Sequence, residues 1–198
     1  MVELDEDVLE ELQHGGRSLL IEDVVSIIER NHLDDRPGVS RETLEAYADA
    51  LEADPDQQFD METFHEELDS RLTDSDTWVD DDRLYRVGDD RISSYPATWH
   101  DRLGGKTDVR TYVVFLQDEA PEFKEDVGRG GAGPGIPQDQ LLDVVSVVGR
   151  IERQEARAVL QDLHDRGELV EDADQHPDAG VMLGDEDGES YRDTSIDG

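Results

Sequence analysis

Cysteine is absent from this chain of 198 residues, which excludes disulfide bonds and metal sites built on thiolates. Long apolar runs are also absent: the longest, such as residues 144–148, are far too short to span a bilayer. The first seven residues lack the basic start and the apolar core of a signal peptide. Together these absences predict a cytoplasmic protein that does not enter a membrane.

Basic residues are scarce beside acidic ones. The chain has 18 Lys and Arg against 53 Asp and Glu, a formal net charge of −35, and the acids are spread along nearly its whole length. In molar salt the Debye length falls to roughly 3 Å, so the self-repulsion of such a surface is screened. We therefore expect a protein of a halophilic archaeon. The acidity also argues against non-specific binding to nucleic acid, which is itself a polyanion.

Apolar residues make up 35% of the chain and recur at helical spacing, which predicts folded units instead of global disorder. Apolar residues four apart predict an amphipathic helix within residues 1–16. Residues 17–92 predict a first unit of three helices followed by strands. Ser40 and Asp60 are the expected N-caps of its second and third helices.

The end of the first unit predicts a β-hairpin. Trp78-Val79 and residues 84–87 are short apolar runs on either side of three consecutive aspartates, which would form an acidic tip. Residues 93–106 then predict a connector that contains a short helix around residues 99–103.

Residues 107–184 predict a second unit with the same order of elements. Its first helix, capped by Thr107, contains the apolar run at residues 113–116, which taken alone also fits a strand. The second helix has Pro137 as its first residue, and Gly149 breaks it.

A third helix then begins at Arg150 or Ile151. Residues 168–170 and 181–183 predict two strands, and we expect a disordered acidic tail at residues 185–198. The predicted fold class is therefore α+β, mainly α with small β-hairpins.

The end of the second unit carries a family resemblance. The helix-to-helix step at residues 145–153 has helix-turn-helix geometry, and residues 160–170 read Leu-Gln-Asp-Leu-His-Asp-Arg-Gly-Glu-Leu-Val. This segment resembles the recognition helix and first wing strand of winged-helix proteins, including the C-terminal winged helix of archaeal replicative helicases. Nothing in the chain resembles the helicase ATPase. The resemblance covers about residues 107–183, and the similar order of the first unit implies tandem winged-helix-like units.

A helical wheel of the third helix groups basic residues on one face. Arg150, Arg153 and Arg157 lie to one side of its apolar stripe, with Gln154 and Gln161 between and beyond them. Arginine reads guanine or phosphate, glutamine can read adenine, and the start of a recognition helix enters the major groove. We therefore predict these five residues as a DNA-binding face. Pairing of the arginines with nearby surface carboxylates explains the pattern equally well.

Three motif fragments fail their own requirements. Gly105-Lys106-Thr107 ends like a phosphate-binding loop, but the glycine needed five residues earlier is His100. The glycine-rich run at residues 128–135 resembles a dinucleotide-binding fingerprint, but it does not follow a strand as that fingerprint requires. The alternating aspartates of residues 172–178 lack the central glycine and the closing glutamate of a calcium loop. We predict no catalytic, cofactor or metal site and no enzymatic activity.

The sequence thus predicts a winged-helix protein that binds double-stranded DNA through its second unit, as a transcriptional regulator. The alternative is a tandem winged-helix scaffold for protein interactions in a chromosome-maintenance or transcription complex. The third helix of the first unit is acidic on its outer face, so we expect that unit to form a homodimer or to dock a protein partner.

Overall fold

A computed structural model describes residues 2–16, 19–32, 35–128, 135–171 and 180–184. The fold class is mixed α+β, as the sequence predicts, with sheets of three and four strands beside the helices. None of the helices in these ranges combines the length and the apolar character that a membrane crossing needs. The predicted acidic tail and the calcium-like loop lie outside the described residues, as does most of the glycine-rich run.

The N-terminal helix and the three helices of the first unit follow the predicted periodicity. Their bounds are α1 Glu6–Gly15, α2 Ile21–Asn31, α3 Arg41–Ala53 and α4 Met61–Arg71. The Ser40 side chain accepts a hydrogen bond from the amide of Thr43, and the Asp60 carboxylate accepts one from Thr63. Both predicted N-caps are confirmed, because each satisfies an amide that the first turn leaves unpaired.

A four-stranded sheet completes the first unit. Its strands are β1 Val39–Ser40, β2 Leu72–Thr73, β3 Leu84–Gly88 and β4 Arg91–Ser93. The order is β1-β4-β3-β2, with β2 parallel to β3 and the other pairs antiparallel.

The hairpin predicted from Trp78-Val79 and residues 84–87 is wrong. β3 pairs instead with β4, across a tight turn in which Asp90 has a φ of 59°. Trp78 belongs to no strand, because its ring is buried in an aromatic cluster: it stacks on Trp99 with ring centroids 5.9 Å apart and meets Phe123 edge-on at 4.9 Å. Burial of the indole therefore overrides the local strand pattern.

The connector and the second unit hold five further helices within the described residues. Their bounds are α5 Ala97–Leu103, α6 Val109–Asp118, α7 Pro121–Gly128, α8 Gln138–Gly149 and α9 Arg153–Asp165. The apolar run at residues 113–116 is helical, since it lies within α6. Asp108 caps α6 in place of the predicted Thr107. Pro137 lies in a strand immediately before α8 instead of opening the helix.

A three-stranded antiparallel sheet completes the second unit. Its strands are β5 Ile136–Pro137, β6 Leu169–Glu171 and β7 Gly180–Leu183, in the order β5-β7-β6. The two predicted strands are therefore confirmed. The first unit runs α2, β1, α3, α4, β2, β3, β4, and the second runs α6, α7, β5, α8, α9, β6, β7. In both sheets the last strand pairs with the first strand and with the strand that precedes it in the chain. That both units are winged helices stays a prediction.

The units pack against each other through apolar and polar contacts. Trp78 and Tyr85, which precede the connector, join the core that α6, α8 and α9 build. α2 packs on α8, where Arg30 lies 3.6 Å from the Asp143 carboxylate. These contacts hold the start of α9 close to α2 and to the N-terminal helix.

Candidate nucleic-acid interface

The turn between α8 and α9 depends on the glycine that the sequence predicts as a helix breaker. Gly149 is buried, and a Cβ there would lie 2.7 Å from the hydroxyl oxygen of Tyr112. Arg150 follows in the left-handed region at φ 55° and ψ 49°, which reverses the chain. The amide of Ile151 then donates to the carbonyl of Ser146 at 3.2 Å. Three residues thus join two packed helices, as in a helix-turn-helix.

The prediction that Arg150 shares a helix face with Arg153 and Arg157 is wrong. α9 begins at Arg153, because the left-handed turn uses the residues before it, so Arg150 precedes the helix. A Cβ added to Gly104 would lie 3.6 Å from a guanidinium nitrogen of Arg150, which places that guanidinium beside the end of α5. Burial and, to a lesser degree, the charge of Arg150 lower the pKa of His100 from 6.5 to about 4.

Four exposed residues that are not acidic lie together on the outward face of α9, with the exposed acids Glu155 and Asp162 beside them. We call this set the α9 stripe: Gln154, Arg157, Ala158 and Gln161. It lies opposite the apolar residues that α9 buries, at the spacing expected for one helix face. Three of the five predicted DNA-binding residues therefore share one accessible surface. Asp165, the last residue of the helix, is the first acid on this face.

Arg153 is tied to carboxylates instead. Its side chain is 26% exposed, forms an ion pair with Asp143 and lies 3.2 Å from Asp139. Arg30 of α2 reaches the same Asp143 carboxylate, and Glu11 of α1 pairs with Arg30 at 2.7 Å. Burial raises the pKa of Asp143, although both arginines lower it. A chain of alternating charges thus links the start of α9 to α2 and α1.

A groove of about 1160 Å³ lies beside the start of α9. We call it the charged groove; it is lined by residues 3–8 and 11, residues 30–32, residues 152–154 and residue 157. The chain start supplies an acidic wall with Glu3, Asp5, Glu6 and Asp7, and the groove is also lined by three arginines of α2 and α9 and by the acids Glu11 and Glu152. No ion pair joins Arg157 to a carboxylate in the part of the chain that the structure describes.

The helix of the first unit that corresponds to α9 differs in charge. α4 follows α3 in the same order, and its exposed acids are Glu62, Glu66, Glu67 and Asp69. Phosphates would be repelled by this face. The exposed face of α4 is therefore more acidic than the stripe of α9.

Catalytic and metal-binding arrangements have little support among the described residues. No group of three His, Asp or Glu side chains there is placed to hold a metal ion. Ser93 Oγ lies 2.8 Å from His100 Nε2, but the two side chains are 0% and 5% exposed, so no substrate reaches them. Gly105-Lys106-Thr107 forms an exposed loop between α5 and α6.

Comparison with protein-family models, with curated proteins and with solved structures finds no match to this chain. A DNA-binding role for the five predicted residues therefore stays a prediction that rests on geometry and charge.

Proposed function

We propose that this protein binds double-stranded DNA through the α9 stripe and acts as a transcriptional regulator. The observation that carries the proposal is the exposed face of α9 that groups Gln154, Arg157 and Gln161, in a chain with 53 acidic and 18 basic residues. The exposed acids of α9 lie beside this face or at the end of the helix, whereas the exposed residues of α4 include four acids and no arginine or lysine.

The order of elements supports this proposal. The second unit runs α6, α7, β5, α8, α9, β6, β7; apart from the additional helix α7, this order resembles a winged helix with α9 as the recognition helix. A recognition helix contacts base edges with residues near its N-terminus, and the stripe begins at the second residue of α9. The acidity of the remaining surface fits the proposed adaptation to molar salt.

The chemistry of the stripe suits base readout. Arg157 can donate two hydrogen bonds to guanine or bind a phosphate, and Gln154 and Gln161 can each pair with adenine. Arg153 has a different role in this proposal: its pairing with Asp139 and Asp143 fixes the start of α9 to α8.

The test is the affinity of the Arg157→Ala variant for DNA. Fluorescence anisotropy with a duplex of about 30 base pairs that the wild type selects from a randomised pool, in a KCl series up to about 1 M, gives the dissociation constant. We expect a loss of about tenfold or more, since one such arginine contact contributes about 1–3 kcal/mol. Arg86→Ala, which removes an exposed arginine of β3 in the first unit, is the matched control. Equal binding by both variants, or no binding by the wild type, would refute the proposal.

A second candidate is a protein-interaction scaffold, which the acidic face of α4 favours. In that case a partner with a basic surface would dock on the first unit. Glu62→Lys with Glu66→Lys should then abolish a stoichiometric complex that the Arg157→Ala variant still forms. If both variants still form the complex, that result would count against this candidate.

A further inference from the structure

We infer that the acidic start of the chain competes with DNA for the α9 stripe. Residues 3–7 would act as an intramolecular substitute for phosphates, so DNA binds only when this segment moves away. The inference rests on the proposed function and adds a built-in control of the same site.

The charged groove places the competitor beside the stripe. Glu3, Glu6 and Asp7 line one wall, while Gln154 and Arg157 line the wall that α9 provides. Arg157 has no carboxylate partner among the described residues, so its charge is available to a phosphate or to the acidic wall.

The space beside α9 is the space that DNA needs. A recognition helix enters a major groove about 12 Å wide and about 8.5 Å deep, so phosphate backbones pass on both sides of it. The acids of residues 3–7 line the same groove as the first two residues of α9, so they lie beside the end of the helix that would contact the bases. A duplex bound to the stripe would therefore clash with the segment and would be repelled by its negative charge.

The segment is held firmly enough to occupy this position. The amide of Asp5 donates to the hydroxyl of Tyr47 at 2.9 Å, and the Asp5 carboxylate caps α1. Val8 and Leu12 of α1 are buried in the first core, and Glu11 pairs with Arg30.

The acids that face the groove are not needed for these anchors. Glu3, Glu6 and Asp7 are exposed, and within the described residues none of their carboxylates has an ion pair or a hydrogen bond. Glu6 and Asp7 lie in the first turn of α1, where each negative charge modestly stabilises the helix, but the buried contacts of α1 do not depend on these carboxylates.

The test compares two triple variants that each remove three negative charges. Glu3→Gln, Glu6→Gln and Asp7→Asn neutralise the groove wall but keep the Asp5 cap. The matched control neutralises Glu62, Glu66 and Glu67 of α4. These residues are also exposed, and they do not line the groove. Affinity for the selected duplex is measured at the same KCl concentration, and circular dichroism reports folding.

We expect the groove variant to bind DNA about tenfold more tightly than the wild type, while the control changes by less than about twofold. In the wild type, DNA should also speed hydrogen exchange of the α1 amides, because the segment is displaced.

Equal affinities of the two triple variants, with DNA binding that still depends on Arg157, would overturn the competition and leave the proposed function standing. Protection of α1 on DNA addition would also overturn it. Absence of DNA binding in the wild type and in both triple variants would overturn the proposed function and this inference together.

Discussion

Glu29 is a buried carboxyl on α2, where the first unit meets the connector. Glu29 is 5% exposed, and the amide of Ser94 donates a hydrogen bond to its Oε2 at 2.8 Å. Its Oε1 has no hydrogen-bond partner within the described residues. Burial raises the pKa of Glu29 from 4.5 to about 7, and hydrogen bonds from Ser93 and Ser94 and the charge of Arg91 offset only part of this effect.

The raised pKa makes folding less favourable as the pH rises. The folded protein keeps the Glu29 proton up to about pH 7, whereas the unfolded chain loses it near 4.5. The stabilising contribution is fully present below about pH 4.5 and is lost as the pH rises through about 7. At about 1.4 kcal/mol per pKa unit, the free energy of unfolding falls by about 3 kcal/mol over this range.

The Glu29→Gln variant removes this penalty, because glutamine has nearly the same shape and is neutral at every pH. We expect its free energy of unfolding to exceed that of the wild type by about 3 kcal/mol at pH 8 and to match it within about 1 kcal/mol at pH 5. Urea unfolding at constant salt is followed by the fluorescence of the buried Trp78 and Trp99. Glu67→Gln, on the exposed face of α4, should show no such pH dependence.

A Glu29→Gln variant that is less stable than the wild type by the same amount at pH 5 and pH 8 would refute this reasoning. That result would mean that the carboxylate is ionised in the folded protein and paired with a cation.

Three further outcomes are expected. If the acidity is an adaptation to salt, the melting temperature should rise continuously from about 0.1 M to about 2 M KCl; a flat curve would argue against it. Asp143→Asn should lower the free energy of unfolding by about 1–2 kcal/mol, because it removes the partly buried carboxylate that Arg30 and Arg153 share and leaves each arginine one other acidic partner, whereas the exposed Asp49→Asn should change it by less than about 0.5 kcal/mol. Gly149→Ala should lower it by about 1–3 kcal/mol in urea unfolding, since the added methyl group meets the Tyr112 hydroxyl.

Local chemistry explains what the sequence predicts well. Helix spacing and N-caps depend on residues within one or two turns, so α3 after Ser40 and α4 after Asp60 could be predicted closely. The strands β6 and β7 could also be predicted, because short apolar runs on either side of an acidic loop indicate a hairpin.

Distant packing explains the strand error. Trp78 has the local pattern of a strand, but its ring joins a cluster whose other members follow at residues 95, 99 and 123. The correct turn did leave a signal: Gly88-Asp89-Asp90 is turn-forming, and Asp is one of the residues that tolerates a positive φ.

The candidate site was predicted in part. Gln154, Arg157 and Gln161 lie where the helical wheel places them, because the middle of α9 is regular. Arg153 could not be assigned from α9 alone, since its partners Asp139 and Asp143 lie on α8. Their spacing of four residues puts both carboxylates on one helix face, which was the available signal.

The acidic wall of the charged groove could not be predicted from spacing. It depends on α1 docking beside α2, and about 150 residues separate the chain start from α9. Only the folded chain brings these charges together.

The salt dependence of duplex binding tests the central claim most directly. The logarithm of the binding constant for the selected duplex is plotted against the logarithm of the KCl concentration, for the wild type and for Arg157→Ala. The proposal predicts a linear loss of affinity with salt and a lower affinity of the variant at every salt concentration; the slope is smaller by about one where Arg157 neutralises a phosphate and unchanged where it contacts a base. Identical slopes and affinities, or no binding at any salt concentration, would contradict it.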